Sequence, residues 1–318
     1  AASTVRHPDR RGAGVTADTE ASKFWKGSKE LGVALVMRTG TVLTRVRRVP
    51  RPFVPSLESR VRGRTVLITG ASSGIGRQLA IRVAEAGAIV LVTARRADLL
   101  DDLIRLIRGA GDCAASIPGD LASDDGINSV ADAVLAKYGA PDVLVLNAGR
   151  SIMRTVAESE FRLHDFERTV RVNYLGAVGL LLRFLPGMSA RRSGQVVHTS
   201  SITVPIHGAR FSAYVASKSA LESVLNVAAV EHLNDGVKFT NVRLPLVETE
   251  MIAGADWTGF ARLTTEEAVE MMVDAIRRQP RQLDHPVSAV GRLLYGVAPR
   301  MADRVQSYFH TRMENLIQ

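Results

Sequence analysis

Apolar and polar positions alternate in blocks along the chain from residue 64 onward. Runs rich in Val, Ile and Thr recur at residues 65–69, 89–93, 114–117, 143–146, 195–199 and 238–244. Short apolar runs closed by Gly, Asn or Asp read as buried strands. Between them, apolar residues return three and four apart over 75–86, 98–108, 125–138, 166–185 and 214–233, the spacing of helices with one inward face. Strand–helix alternation predicts a parallel sheet wound on both faces, because parallel neighbours need a helix-length crossover.

Two of these helices depart from a one-sided pattern. The 166–185 segment carries Val178, Leu180, Leu181, Leu182 and Phe184, and 214–233 is similarly apolar on more than one face. A helix apolar all round needs cover on its outer side, so these two predict a homodimer or homotetramer interface. The alternation ends near residue 262. Thr264, Thr265, Glu266 and Glu267 then open a helix that Pro280 stops, with the chemistry of a capping box. Beyond it, 290–295 and 301–309 read as short amphipathic helices separated by Pro299, which either pack over a pocket or touch lipid. The expected organisation is an N-terminal extension over 1–63, a catalytic domain over 64–262 and C-terminal helices over 263–318.

Charge separates the first part from the rest. Of the net charge of +9, residues 1–64 hold 14 Lys/Arg against 5 Asp/Glu, while 65–318 hold 27 of each. A neutral body argues against a nucleic-acid groove on the folded domain. Residues 1–22 are polar and read as disordered. Residues 23–62 mix basic and apolar side chains, including Phe24, Trp25 and Leu35, and form either a segment lying on anionic lipid or a basic arm packed on the domain. The chain starts with Ala rather than Met, which fits processing or a fragment. No run approaches the ~18 apolar residues of a membrane span, and the first residues lack a signal-peptide pattern, so a cytoplasmic chain with some peripheral membrane contact is expected. The single cysteine, Cys113, fits a reducing compartment, and a small buried side chain is its default role. His164, His198 and His207 lack metal-ligand spacing, so no metal is expected. Arg150 and Arg154 read equally as substrate contacts or surface residues.

The chemistry sits where strands end. Gly70-Ala-Ser72-Ser73-Gly74-Ile75-Gly76 follows the first strand and enters a helix. Glycines there permit a tight turn and close approach of a pyrophosphate, and a helix N-terminus favours its charge. This is the loop of a Rossmann-type dinucleotide site. An NAD site would carry an acid after the second strand. Here Arg95 and Arg96 stand instead, suited to a 2′-phosphate by charge and bidentate geometry, which favours NADP(H). Asp120 and Leu121 close the third strand, where a carboxylate suits an adenine amine. Asn147, Ala148 and Gly149 close the fourth, where small residues admit a flat cofactor. Ser200 and Ser201 follow the fifth strand. Tyr214 and Lys218 lie four apart on the next helix, one turn apart on one face. An ammonium beside a phenol is expected to lower the phenol's pKa toward working pH, for giving or taking a proton.

These residues together resemble the classical branch of the short-chain dehydrogenase/reductase family, over roughly residues 64–250. The resemblance implies that Tyr214 is the general acid/base, that Lys218 holds the nicotinamide ribose and tunes Tyr214, and that Ser201 rather than Ser200 binds the substrate oxygen. It implies that Asn173 supports a water leading to Lys218, and that Thr249, with Pro245 and Val247, lies along the nicotinamide. Where the family has Pro-Gly after the sixth strand, this chain has Pro245-Leu246, crowding that position. That feature, with Asn147–Ile152, 164–168 and Arg210-Phe-Ser-Ala-Tyr214, is similar to fatty acyl-CoA reductases of this fold. The resemblance thus implies an NADP(H)-dependent reductase acting on a fatty acyl-CoA or fatty aldehyde. A ketone/alcohol dehydrogenase for 3-oxoacyl, steroid-like or xenobiotic substrates is the alternative, and a non-catalytic cofactor-binding scaffold the third reading.

Overall fold

The computed structural model describes residues 54–253, 257 and 262–317; the expectations for residues 1–53 lie outside the described residues. The strands are β1 (Thr65–Thr69), β2 (Ile89–Thr93), β3 (Ala114–Ser116), β4 (Val143–Leu146), β5 (Gly194–Ser201), β6 (Val237–Leu244), β7 (Leu246–Val247), β8 (Arg262–Leu263) and β9 (Gln282–Asp284). Seven of them form one parallel sheet in the order β3-β2-β1-β4-β5-β6-β9, and β7 pairs with β8 separately. The chain winds outward from β1 to β3, then returns to place β4 on the other side of β1. That reversal opens a crevice at the carboxyl ends of β1 and β4, where doubly wound sheets bind ligands.

The helices are α1 (Leu57–Val61), α2 (Gly74–Glu85), α3 (Ala97–Gly109), α4 (Asp124–Tyr138), α5 (Leu163–Val170), α6 (Gly176–Ala190), α7 (Thr203–Ile206), α8 (Ser212–Glu231), α9 (Thr265–Arg278), α10 (Pro286–Val297) and α11 (Pro299–Ile317). Successive strand residues face opposite sides, which divides the core. Val66, Ile68, Val90 and Val92 pack against Leu79, Val83, Leu103 and Met272 on one face. Leu67, Leu91, Leu144 and Val196 pack against Val130, Leu180, Phe184 and Leu221 on the other. Leu57 and Val61 of α1 belong to the first cluster, so the stretch just before residue 64 is part of the folded unit. The capping box of α9 is formed between Thr264 and Glu267.

Four expectations need correction. The 166–185 segment is two helices, α5 and α6, joined by a π-turn over Arg171–Leu175; its all-round apolar character conceals the change of register. A seventh sheet strand, β9, was not anticipated, because three residues with Gln282 and Asp284 at the ends carry no strand pattern. The last two helices run longer than 290–295 and 301–309, each opening on a proline, which suits the first helical position. Cys113 is exposed: it lies in the turn before β3, where its carbonyl accepts from Val90 N–H at 2.9 Å. The outward faces of α6 and α8 leave Leu182, Val227 and Val230 exposed. Among the described residues, no helix is long and apolar enough to cross a membrane.

Candidate active site

β5 runs two residues beyond the anticipated Thr199 and ends in the serine pair. Alternation along a strand sends the two hydroxyls to opposite faces. Ser200 Oγ donates to Glu222 Oε1 at 2.5 Å. Ser201 Oγ lies on the other side, where it accepts from Thr203 N–H at 3.2 Å and from Thr203 Oγ1 at 2.8 Å. The same hydroxyl is hydrogen-bonded to Tyr214. The structure therefore brings Ser201, and not Ser200, to the phenol. α8 places Lys218 one turn further on, fully buried, with Nζ 5.9 Å from the Tyr214 ring centre and donating to Thr199 O at 2.8 Å.

The expected lowering of the Tyr214 pKa does not hold in this site. Burial pushes the phenol up from 10.0 to about 12, and the bond to Ser201 opposes only part of that. Burial also lowers Lys218 from 10.5 to about 8, against the attraction of Glu222. Spacing along a helix reveals the neighbour but not the loss of water, and here desolvation is the larger cause.

Asn173 sits in the π-turn, 1% exposed. Its Oδ1 accepts from Arg150 N–H at 2.8 Å, and its Nδ2 donates to Arg150 O and to Ser217 Oγ, each at 2.9 Å. Ser217 in turn donates to Tyr214 O at 2.7 Å. The Asn173 side chain thus braces the loop after β4 against the first turn of α8. Asn147 joins three strand tips: Nδ2 donates to Thr69 O at 3.0 Å and Gly70 O at 3.3 Å, while Oδ1 accepts from Thr199 Oγ1 at 3.2 Å. Ala148 N–H donates to Thr69 Oγ1 at 2.9 Å.

The loop before α2 fits a dinucleotide on its own geometry. Gly70 has φ +68°, and a Cβ there would lie 2.7 Å from Ala148 Cα. A Cβ at Gly76 would meet Gly70 O at 2.5 Å. Contacts this close admit only glycine at both positions, which holds the turn tight against the tip of β4 and the start of α2 tight against the turn. Ser73, the N-cap, makes no side-chain bond to the first turn, so helix N–H groups remain for an anion. Ile75, in the first turn of α2, is half-buried. Arg96 Nη2 donates to Ser72 Oγ at 3.1 Å and Ser73 Oγ at 3.0 Å, and lies 3.3 Å from Glu250 Oε2. Arg95 is exposed beside it.

Other anticipated positions line the same crevice. Asp120 Oδ1 accepts from Ala122 N–H at 3.1 Å, shaping the turn after β3, and Leu121 is buried there. A Cβ at Gly149 would lie 3.4 Å from Asn173 Oδ1 and 3.5 Å from Lys218 Nζ. Pro245 and Val247 are buried, and Thr249 Oγ1 donates to Val247 O at 3.3 Å while its methyl group faces Gly74. Leu246 is held in β7 by pairing with Arg262. Arg154 Nε pairs with Asp165 at 3.2 Å. Among the described residues no cluster of His, Cys, Asp or Glu could hold a metal ion.

Two groups escaped the sequence reading. Phe211 lies 6.5 Å from the Tyr214 ring and stacks on Trp257 at 6.2 Å, forming an aromatic wall beside the phenol. Behind Lys218 lies a buried ionic cluster of Glu222, Arg243 and Asp284. Its one sequence signal was Glu222 at the next four-residue step after Tyr214 and Lys218.

A dinucleotide crevice facing a Ser–Tyr–Lys cluster defines an oxidoreductase of the parallel-sheet type. The family model for short chain dehydrogenases matches residues 64–258. An uncharacterized oxidoreductase of Mycobacterium tuberculosis is 42% identical over 256 residues, covering 79% of this chain and 75% of the relative. The fatty acyl-CoA reductase of Acinetobacter baylyi is 41% identical over 240 residues, covering 75% of this chain and 81% of that protein. Among solved structures, a 3-oxoacyl (acyl-carrier-protein) reductase from Agrobacterium tumefaciens with NADP bound matches with TM-score 0.64 and 27% identity, over 72% of this chain and 96% of that one. The chain belongs to the short-chain dehydrogenase/reductase family, whose members bind a nicotinamide cofactor.

Proposed function

We propose that the chain is an NADP(H)-dependent reductase of fatty acyl-CoA or fatty aldehyde. The observation that carries this reading is the hydrogen-bonded Ser201–Tyr214 pair set against the Phe211–Trp257 wall: two hydroxyls for an oxygen, bordered by apolar surface for a chain. The 41% identity to a fatty acyl-CoA reductase supports the acyl substrate. Arg96, over the Ser72 and Ser73 hydroxyls, supports NADP(H), as does the NADP named with the reductase from Agrobacterium tumefaciens.

Gly70, Ser72, Ser73, Gly74, Ile75 and Gly76 would hold the pyrophosphate, Arg96 and Arg95 the 2′-phosphate, and Asp120 and Leu121 the adenine. Asn147, Ala148 and Gly149, with Lys218, Pro245, Val247 and Thr249, would hold the nicotinamide half. When bound, that cofactor supplies a hydride. Tyr214 and Ser201 then donate hydrogen bonds to the substrate oxygen as it gains negative charge, which is the principal electrostatic demand of such a reaction. With an aldehyde, Tyr214 O–H transfers its proton to that oxygen and the product is the alcohol. With a thioester, the C–S bond of the tetrahedral oxyanion breaks, releasing thiolate and aldehyde. A phenol that titrates near 12 stays protonated at neutral pH, which suits reduction.

The test is NADPH oxidation by the full chain with palmitoyl-CoA, a fatty aldehyde and a simple ketone in parallel, with thiol release followed for the thioester. Thiol release in step with NADPH loss is expected. Activity on the ketone alone would retire the acyl reading in favour of a ketone/alcohol dehydrogenase, the activity class of the 3-oxoacyl reductase neighbour.

A further inference from the structure

Tyr214, Lys218 and Glu222 stand at successive four-residue steps on α8, and therefore in one row along the helix. The proposed reaction uses the first two. Glu222 is 4% exposed and Lys218 2%, and a carboxylate buried this deeply is tolerated only when its oxygens are filled. They are. Arg243, next to the carboxyl end of β6, donates from Nε to Oε1 at 2.9 Å and from Nη2 to Oε2 at 2.5 Å. Ser200 Oγ adds a third bond to Oε1. The Arg243 guanidinium continues to Asp284 on β9 at 3.5 Å, and Asp284 accepts from Ser288 Oγ at 3.3 Å and faces Arg292 on α10 at 3.4 Å. A chain of alternating charge thus runs from the lysine to the C-terminal helices.

Two links carry this cluster beyond a structural pin. Ser200 directly precedes Ser201, so the bond from Ser200 to Glu222 fixes the strand end from the face opposite the phenol. Glu222 also acts on Lys218 through space: its charge favours the ammonium against burial. The other groups around Lys218 do not replace it. Tyr214 on α8 is a neutral phenol, and His198 on β5 is buried, held neutral, and bonded through Nδ1 to Asn241 Oδ1 at 3.0 Å. Thr199 offers a carbonyl and Asn173 an amide, while Arg243 on β6 and Asp284 on β9 stand behind Glu222.

We infer that Glu222, clamped by Arg243, is the positioning residue of this site: it keeps Lys218 an ammonium, fixes the Ser200–Ser201 strand end, and joins both to the segment from β9 onward. This rests on the proposed role of Lys218, so the test must not depend on turnover alone. Full-length protein labelled with 13C at the ε-carbon of its six lysines is titrated by NMR, with Lys218→Met to assign the signal. Glu222→Gln keeps the shape and removes the charge. The Lys218 titration should move down by about one pH unit, and the basic limb of any carbonyl reduction should move with it, NADPH affinity at pH 6 staying within about threefold. Glu222→Gln/Arg243→Gln, which leaves neither charge unpaired, should restore thermal stability without restoring the titration. An unmoved Lys218 titration in either folded variant would overturn the inference. If wild type turns over no carbonyl, the reductase reading fails while the titration still decides this one.

Discussion

The pH dependence of the two reaction directions follows from the two buried groups on α8. Tyr214 titrates near 12 and Lys218 near 8. At pH 7 about one phenol in 10⁵ is ionised. Carbonyl reduction draws on the protonated phenol beside an ammonium, the resident form below about 8. Its rate should be flat from pH 6 to about 8 and fall tenfold per unit above, as Lys218 loses its proton. Alcohol oxidation draws on phenolate beside ammonium. Its rate should climb tenfold per unit to about pH 8 and level off, because beyond that point ammonium is lost as fast as phenolate is gained. Tyr214→Phe removes the proton donor of reduction and, with it, the proton acceptor of oxidation. General acid catalysis contributes about 10²–10⁴ in rate, or about 3–5 kcal/mol of barrier, and this variant should lose that much in kcat with cofactor affinity near wild type. The assay is kcat and kcat/KM from nicotinamide absorbance for a fatty aldehyde and its alcohol over pH 6–10. A reductive rate already falling tenfold per unit from pH 6, or a Tyr214→Phe variant within tenfold of wild type, would refute the reasoning.

Two further outcomes follow from the structure. Arg96→Ala should weaken NADPH about 10- to 100-fold, as loss of a charged hydrogen bond to a phosphate does, leaving NADH within about threefold; Arg95→Ala should do less, because it is Arg96 that reaches the Ser72 and Ser73 hydroxyls, and equal losses for both cofactors in isothermal titration would remove the 2′-phosphate assignment. Leu57→Ala/Val61→Ala in the full chain empties two core positions that are 5% and 0% exposed, a loss of roughly 3–6 kcal/mol; an unchanged thermal melting curve would show that α1 does not belong to the folded unit.

The sheet was legible because its strands are buried on both faces and read as continuous apolar runs. Thr65–Thr69, Ile89–Thr93 and Val143–Leu146 fall where those runs begin and end. The crevice was legible because its loops stand directly after those strands. What stayed hidden depends on the third dimension. Gln282–Asp284 is too short and polar to announce a strand, yet its pairing with β6 brings Asp284 to Arg243. Glu222 and Arg243 are written like any surface charges, and only the fold buries them together. The Tyr214 pKa was misread for a related reason: a spacing of four shows an ammonium nearby but not the water that packing removes. The π-turn at Arg171–Leu175 leaves no trace in a segment apolar on every side.

The central claim is that Tyr214 and Ser201 hold a substrate carbonyl for hydride delivery. The most direct measurement is mass spectrometry of the product formed from palmitoyl-CoA or hexadecanal with NADPH deuterated at the transferable position of C4. One deuterium per reduction step at C1, reduced at least a hundredfold in rate by Tyr214→Phe, is the result the account predicts. A product without deuterium, or one formed equally fast by the variant, would contradict it.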